Sequence, residues 1–235
     1  MTISNDSRAR IKKVFEPIAL GMGRLGLTPD ALTLIGFGIT VAGAILLGLQ
    51  MWLLGGLVVF IGGVFDLFDG TLARATGKVS NLGAFMDSVF DRWGEAIVYL
   101  GIVGGGLGAI GAGHASFLAA TAMGSAFMVS YTRAKSEGLG FTASTGMAAV
   151  GLAPREVRLV ILSLGLVLTG VTALADTSFG PMDTYVEFFG SSILLDAGYA
   201  WLNLALACIT VLATITTIQR ILHVREQANQ STTPT

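Results

Sequence analysis

Cysteine, histidine and charge are all scarce in this chain. A single cysteine, Cys208 in an apolar run, excludes an internal disulfide framework and offers no thiolate spacing for a metal. The two histidines, His114 and His223, stand far apart in sequence and read as surface or interfacial residues rather than ligands. Charged residues are 12% of the 235, against about 25% in soluble domains. Hydrophobic residues make up 53% and mean hydropathy is +0.74, so the balance is that of a membrane protein. The net charge of −1 says little, because the distribution matters more than the sum, and no nucleic-acid partner is expected. Glycine, by contrast, is abundant at 32 residues, as suits membrane helices whose backbones approach closely. The triplet Gly104-Gly105-Gly106 reads as a helix end.

The expected fold is an all-α membrane protein: six transmembrane helices after an N-terminal amphipathic juxtamembrane helix, with the N-terminus cytoplasmic. In residues 1–28, Ile11, Val14, Phe15, Ile18 and Met22 recur at helical spacing opposite Arg8, Arg10, Lys12 and Lys13. No long apolar core follows these cations, so the segment reads as a helix lying on an anionic membrane surface rather than a secretory signal. Thr28-Pro29-Asp30 is a helix start, with a capping Thr and Pro at the first helical position. Spans are expected at 29–49, 51–75, 82–103, 115–136, 154–174 and 195–223, each near the ~20 residues that cross a bilayer. Together they make one domain over 29–226, followed by a polar, disordered tail at 227–235. All 14 Lys and Arg residues then fall on the cytoplasmic side, while the opposite loops hold Asp176, Asp183 and Glu187. That asymmetry obeys the positive-inside rule. It predicts a multi-pass cell-membrane protein whose polar cluster faces the cytoplasm.

That cluster runs from Asp66 to Asp91. Asp66 and Asp69 are spaced i,i+3, and Asp87 and Asp91 i,i+4, so each pair shares a helical face. The intervening Thr76-Gly-Lys-Val-Ser80-Asn81 carries turn chemistry, which predicts two helices doubling back with their carboxylates facing. An ionisable residue costs roughly 2.5–3.5 kcal/mol at the bilayer centre and is by default functional. Ion pairs with Arg74 and Arg92 would account for two of the four at most. All-oxygen acidic ligation suits hard cations, Mg2+ first with Mn2+ or Ca2+ behind, and two ions would neutralise the cluster.

The string Asp66-x-x-Asp69-Gly70-x-x-Ala73-Arg74, eight residues, Gly83-x-x-x-Asp87-x-x-x-Asp91 resembles the signature of the CDP-alcohol phosphotransferases at all eight fixed positions. The resemblance implies transfer of a substituted phosphate from a CDP-linked lipid, CDP-diacylglycerol or CDP-archaeol, to an alcohol with release of CMP. It implies that Asp66, Asp69 and Asp87 hold the metals. Asp91 would contact metal and act as the base that takes the acceptor hydroxyl's proton. Gly70, Ala73 and Gly83 would let the nucleotide reach the helix backbone, and Arg74 would pair with the diphosphate. Asp30, Ala31, Leu32, Thr33 and Ser80 match positions lining the CDP-lipid site of the most similar subfamily. A homodimer is expected on the resemblance alone.

For the acceptor, further cations matter: Arg133 after Ser130-Tyr131, Arg155 and Arg158 opening the fifth span, and Gln219-Arg220 ending the sixth. They are similar to the acceptor pocket of phosphatidylinositol-phosphate synthases and their archaeal archaetidylinositol counterparts, where such residues bind the phosphate of inositol phosphate. The fifth span opens Ala153-Pro154-Arg155-Glu156-Val157-Arg158, without the acidic residue that usually precedes the last arginine, and the loop from Gly138 to Gly151 is rich in Gly, Ala and Thr. A phosphorylated polyol is the expected acceptor, inositol phosphate first and glycerol 3-phosphate as the alternative. A divalent cation transporter would also place carboxylates in helices. It leaves Gly70, Ala73 and Arg74 unexplained, and an arginine beside a cation path is counterproductive. A non-catalytic scaffold would tolerate a missing aspartate, and none is missing.

Overall fold

The computed structural model describes residues 5–108, 113–141, 150–179, 183–188, 191–196 and 199–231. It is helical apart from one hairpin: α1 (Asn5–Arg24), α2 (Pro29–Gly48), α3 (Trp52–Ala75), α4 (Asn81–Gly108), α5 (Gly113–Gly138), α6 (Arg155–Phe179), β1 (Asp183–Phe188), β2 (Ser191–Asp196) and α7 (Ala200–Ser231). Among the described residues, four helices are long and apolar enough to cross a membrane: α2, α3, Arg155–Ala175 of α6 and Ala200–Asn229 of α7. The first five segments expected as spans are helical and the sixth is so from Ala200, but length and composition alone support four spans rather than six. Asp87, Asp91, Arg92 and Glu95 crowd the start of α4, and small or hydroxylated residues dominate α5.

The chain divides into two compact units, Met1–Gly108 and Ala109–Thr235. In the first, α2 packs against both α3 and α4. Small residues bring the backbones together: a Cβ at Gly43 would lie 2.8 Å from Val59 Cγ2, and one at Gly55 would lie 2.5 Å from Leu47 Cδ2. On the α4 side a Cβ at Gly101 would collide with the Ala44 carbonyl, and the rings of Phe37 and Phe90 stand 4.9 Å apart. The glycine triplet expected to end a helix instead lies inside α4, because Gly105 is where α4 crosses the Leu47 carbonyl and the Trp52 ring and no Cβ fits. The N-terminal helix α1 is present, and part of its apolar stripe packs on α3. Phe15, Ala19 and Met22 pack on Phe68 and Leu72 of α3 and Leu32 of α2, while Ile18 is 47% exposed. The side chains of Ile11 and Val14 lie outside the described residues.

In the second unit α7 packs against α5 and α6. Ala115, Ala119, Ala122, Ala126 and Val129 form the buried stripe of α5, and Leu202, Leu206, Ile209 and Ala213 that of α7. β1 and β2 pair antiparallel from Asp183↔Asp196 to Phe188↔Ser191. The hairpin takes residues 195–196, which the sequence reading placed in the sixth span, and α7 starts at Ala200. At its other end α7 continues to Ser231, so the tail expected from 227 is helical that far. Arg225, Glu226, Gln227 and Ala228 are polar or small but strong helix formers, and polarity alone does not end a helix. The side chain of His114 and residues 142–149 and 232–235 lie outside the described residues. His223 is half-buried beside Gln227, its Nε2 at 3.0 Å from the amide nitrogen.

Candidate active site

The site is built where three helix termini of the first unit meet the sequence signals that make them. Thr28 caps α2, its Oγ1 accepting the Ala31 N–H at 3.2 Å, with Pro29 at the first helical position. This fixes the turn carrying Asp30, Ala31, Leu32 and Thr33. α3 ends in a Schellman turn: Lys78 N–H reaches the Ala73 carbonyl at 2.9 Å, and Gly77 takes φ +67. A side chain there would be strained, so glycine is what lets the chain reverse. Ser80 then caps α4, its Oγ accepting the Gly83 N–H at 2.9 Å.

Among the described residues Asp69 is the most enclosed carboxylate, with the residue 4% exposed. Thr33 Oγ1 donates to its Oδ2 at 2.6 Å, and the Gly70 N–H donates to its Oδ1. Its acidic neighbours are Asp87 and Asp66. Asp66 Oδ1 lies over α2, 3.3 Å from where a Cβ on Gly36 would stand. Asp91 is held by Arg92, which also reaches Glu95, each at 3.4 Å. The Arg74 guanidinium folds over Gly70, its Nη1 3.2 Å from the Cβ position. Asp30 Oδ1 and Ser80 Oγ border Gly83 at 3.5 and 3.1 Å from its Cβ position. A larger residue at Gly70 or Gly83 would therefore press on the polar groups expected to meet a nucleotide.

Asp66, Asp69, Asp87 and Asp91 were expected to close into one cluster. Among the described residues no three His, Cys, Asp or Glu side chains stand close enough to hold one ion together. The donor chemistry nonetheless suits a hard divalent cation. Asp69 is a buried carboxylate whose hydrogen-bond donors are a hydroxyl and an amide and whose acidic neighbours are two more carboxylates. Each of its oxygens keeps a further lone pair for a ligand.

The arginines expected to bind an acceptor phosphate lie in the second unit. Arg133 makes an exposed pair with Glu137 at 2.9 Å. Arg155 is half-buried at the start of α6. Arg158 and Arg220 are buried and reach one short segment: Arg158 Nη1 donates to the Ala153 carbonyl at 2.9 Å and Arg220 Nε to the Val150 carbonyl at 3.1 Å. Arg220 Nη1 also donates to the Val129 carbonyl of α5. Two contacts escaped the sequence reading. Thr33, expected beside the CDP-lipid, also holds Asp69. Thr216 went unremarked because a Thr inside an apolar helix gives no signal of what its hydroxyl meets.

A model of the CDP-alcohol phosphatidyltransferase family matches residues 26–219. The archaetidylinositol phosphate synthase of Pyrococcus horikoshii is 39% identical over 164 residues, covering 70% of this chain and 82% of that protein. The phosphatidylinositol phosphate synthase of Streptomyces avermitilis is 32% identical over 231 residues, 96% of this chain and 83% of its own. Among solved structures, the Mycobacterium tuberculosis phosphatidylinositol phosphate synthase in complex with manganese and citrate superposes with a TM-score of 0.70 at 25% identity, over 90% of this chain and 88% of that one. The same enzyme with CDP-DAG bound gives 0.67 at 27% identity, over 90% and 94%. The chain that carries this eight-position motif on α3 and α4 is a membrane enzyme and belongs to the CDP-alcohol phosphatidyltransferase family.

Proposed function

We propose that this enzyme moves the phosphatidyl group of CDP-diacylglycerol to inositol phosphate and releases CMP. The observation that carries the site is Asp69, buried against Thr33 with Asp66 and Asp87 beside it. Asp66, Asp69, Asp87 and Asp91 hold two divalent ions, Mg2+ or Mn2+. When bound, the ions supply the positive charge that the diphosphate and departing CMP need. Arg74, over Gly70, pairs with the diphosphate, and Asp30, Ala31, Leu32, Thr33, Ala73, Ser80 and Gly83 line the nucleotide's approach. Asp91 takes the proton of the acceptor hydroxyl. That oxygen bonds to the β-phosphorus as the bond from the β-phosphorus to the bridging oxygen breaks, and CMP leaves with that oxygen. Arg133, Arg155, Arg158 and Arg220 supply the charge that favours a phosphorylated acceptor. The names of the relatives support inositol phosphate, as does the solved structure with CDP-DAG for the donor. α4 and α5 complete six spans, the N-terminus and the site face the cytoplasm, and the enzyme sits in the cell membrane as a homodimer.

The test is CMP release by purified protein with Mg2+ and CDP-diacylglycerol, comparing inositol phosphate, glycerol 3-phosphate, serine and free inositol. Release with inositol phosphate alone is expected. Release only with another acceptor would overturn the reading of the arginines while keeping the transfer chemistry. If all four are inactive, CDP-archaeol replaces the donor, and its failure as well would sink the transferase reading.

A further inference from the structure

Residues 150–153, which lead directly into Arg155, are held along their whole length by α7 and α6. Thr216 of α7 is fully buried, and its Oγ1 accepts the N–H groups of both Leu152 and Ala153 at 3.0 Å. The same hydroxyl donates to the Leu212 carbonyl at 2.8 Å, so its one donor and both acceptor sites are used. One turn further along α7, Arg220 holds the Val150 carbonyl, and Arg158 holds the Ala153 carbonyl from α6. Gly151 stands at φ +121 with the Thr216 methyl filling the space a Cβ would need. Burying two guanidiniums is costly, and both reach this one four-residue strap, Arg220 tying it to the Val129 carbonyl of α5 as well. Such expense suits a segment whose placement matters to chemistry rather than an ordinary surface connection.

We propose that Thr216, together with Gly151, is a positioning residue of the acceptor site: it locks the 150–153 strap so that Arg155 is presented in register to the acceptor's phosphate. This rests on the acceptor-site reading above. Arg158 and Arg220 then act in two ways at once, as positive charge near the phosphate and as clamps on the strap, because a guanidinium has five N–H donors to distribute. Thr216 itself touches no substrate.

The experiment measures kcat and KM for inositol phosphate and for CDP-diacylglycerol in the full-length protein and in Thr216→Val, Thr216→Ser, Gly151→Ala and Arg155→Ala. Thr216→Val is expected to raise the inositol phosphate KM about tenfold or more while the donor KM stays within about twofold, since a misplaced binding group acts on the ligand it positions. Thr216→Ser keeps the hydroxyl and should restore the parent value. Gly151→Ala keeps every strap-binding side chain but forces the backbone, and should reproduce the Val phenotype, which also serves if Thr216→Val fails to fold. Equal effects on both KM values, or none on the acceptor KM in a folded variant, would overturn the positioning role. An Arg155→Ala enzyme with an unchanged acceptor KM would overturn the acceptor-site reading itself. A raised KM there alongside unaffected Thr216→Val and Gly151→Ala enzymes would refute the strap alone.

Discussion

Replacing Thr33 with Val tests how the metal site is organised. The two side chains are nearly the same shape, so the packing of α2 on α3 should survive, and what is lost is the 2.6 Å donation to Asp69 Oδ2. Thr33 Oγ1 also lies 3.2 Å from the Pro29 carbonyl, but it has one proton, and the shorter bond to a carboxylate takes it. Asp69 is 4% exposed, so bulk water does not replace the donor, and the Gly70 N–H alone would remain to orient the carboxylate. A hydrogen bond to a charged group is worth about 1.5–3 kcal/mol. At roughly 1.4 kcal/mol per tenfold, this becomes a loss of about ten- to a hundredfold in metal affinity, the range expected when a group that orients a metal ligand is removed. Mn2+ binding to the purified protein, followed by the electron paramagnetic resonance of the free ion, reads this directly. The Mn2+ concentration that half-activates CMP release should shift in parallel. Thr33→Ser keeps the donor and should bind as the parent does. A folded Thr33→Val protein that binds Mn2+ as well as the parent would refute the reasoning. Tighter binding would refute it too, by showing that the hydroxyl competes with the ion instead of presenting the carboxylate to it.

Asp91→Asn should abolish CMP release while leaving CDP-diacylglycerol binding largely intact, because the amide keeps the shape but cannot take a proton; normal turnover would remove Asp91 from the role of base. Gly101→Ala places a Cβ into the Ala44 carbonyl and should lower the melting temperature, with an overpacking cost of about 1–3 kcal/mol. Gly104→Ala, on the same helix with open space at its Cβ position, should be neutral or stabilising. Equal melting temperatures for the two variants would contradict the packing of α2 on α4.

The local rules were readable because they are short-range. Thr28-Pro29 starts α2 and the turn after Ala75 reverses the chain as expected, since caps and Schellman turns depend on a handful of adjacent residues. The Asp66-to-Asp91 motif was legible for a different reason: carboxylates in apolar helices are too costly to be incidental, so the spacing itself announces chemistry. Errors came where partners distant in sequence decide. The Gly104–Gly106 triplet looks like a helix end by propensity, yet α4 continues because Gly105 is needed against Leu47 and Trp52. The start of the sixth span was misplaced because the apolar run near Leu195 pairs as β2 with β1, a partnership that hydropathy cannot register.

The sequence by itself determined the membrane character, the helices, the family and the identity of the four carboxylates, because composition, periodicity and fixed spacing are properties of the chain alone. Only the tertiary structure decided what those groups lean on. It put Thr33 under Asp69, and Thr216 and Arg220 against the strap before Arg155, contacts separated by 36 to 70 residues. A hydroxyl or guanidinium in an apolar helix can bond locally or across the fold with little difference in its sequence surroundings. Packing, by fixing which backbone arrives beside it, makes the choice.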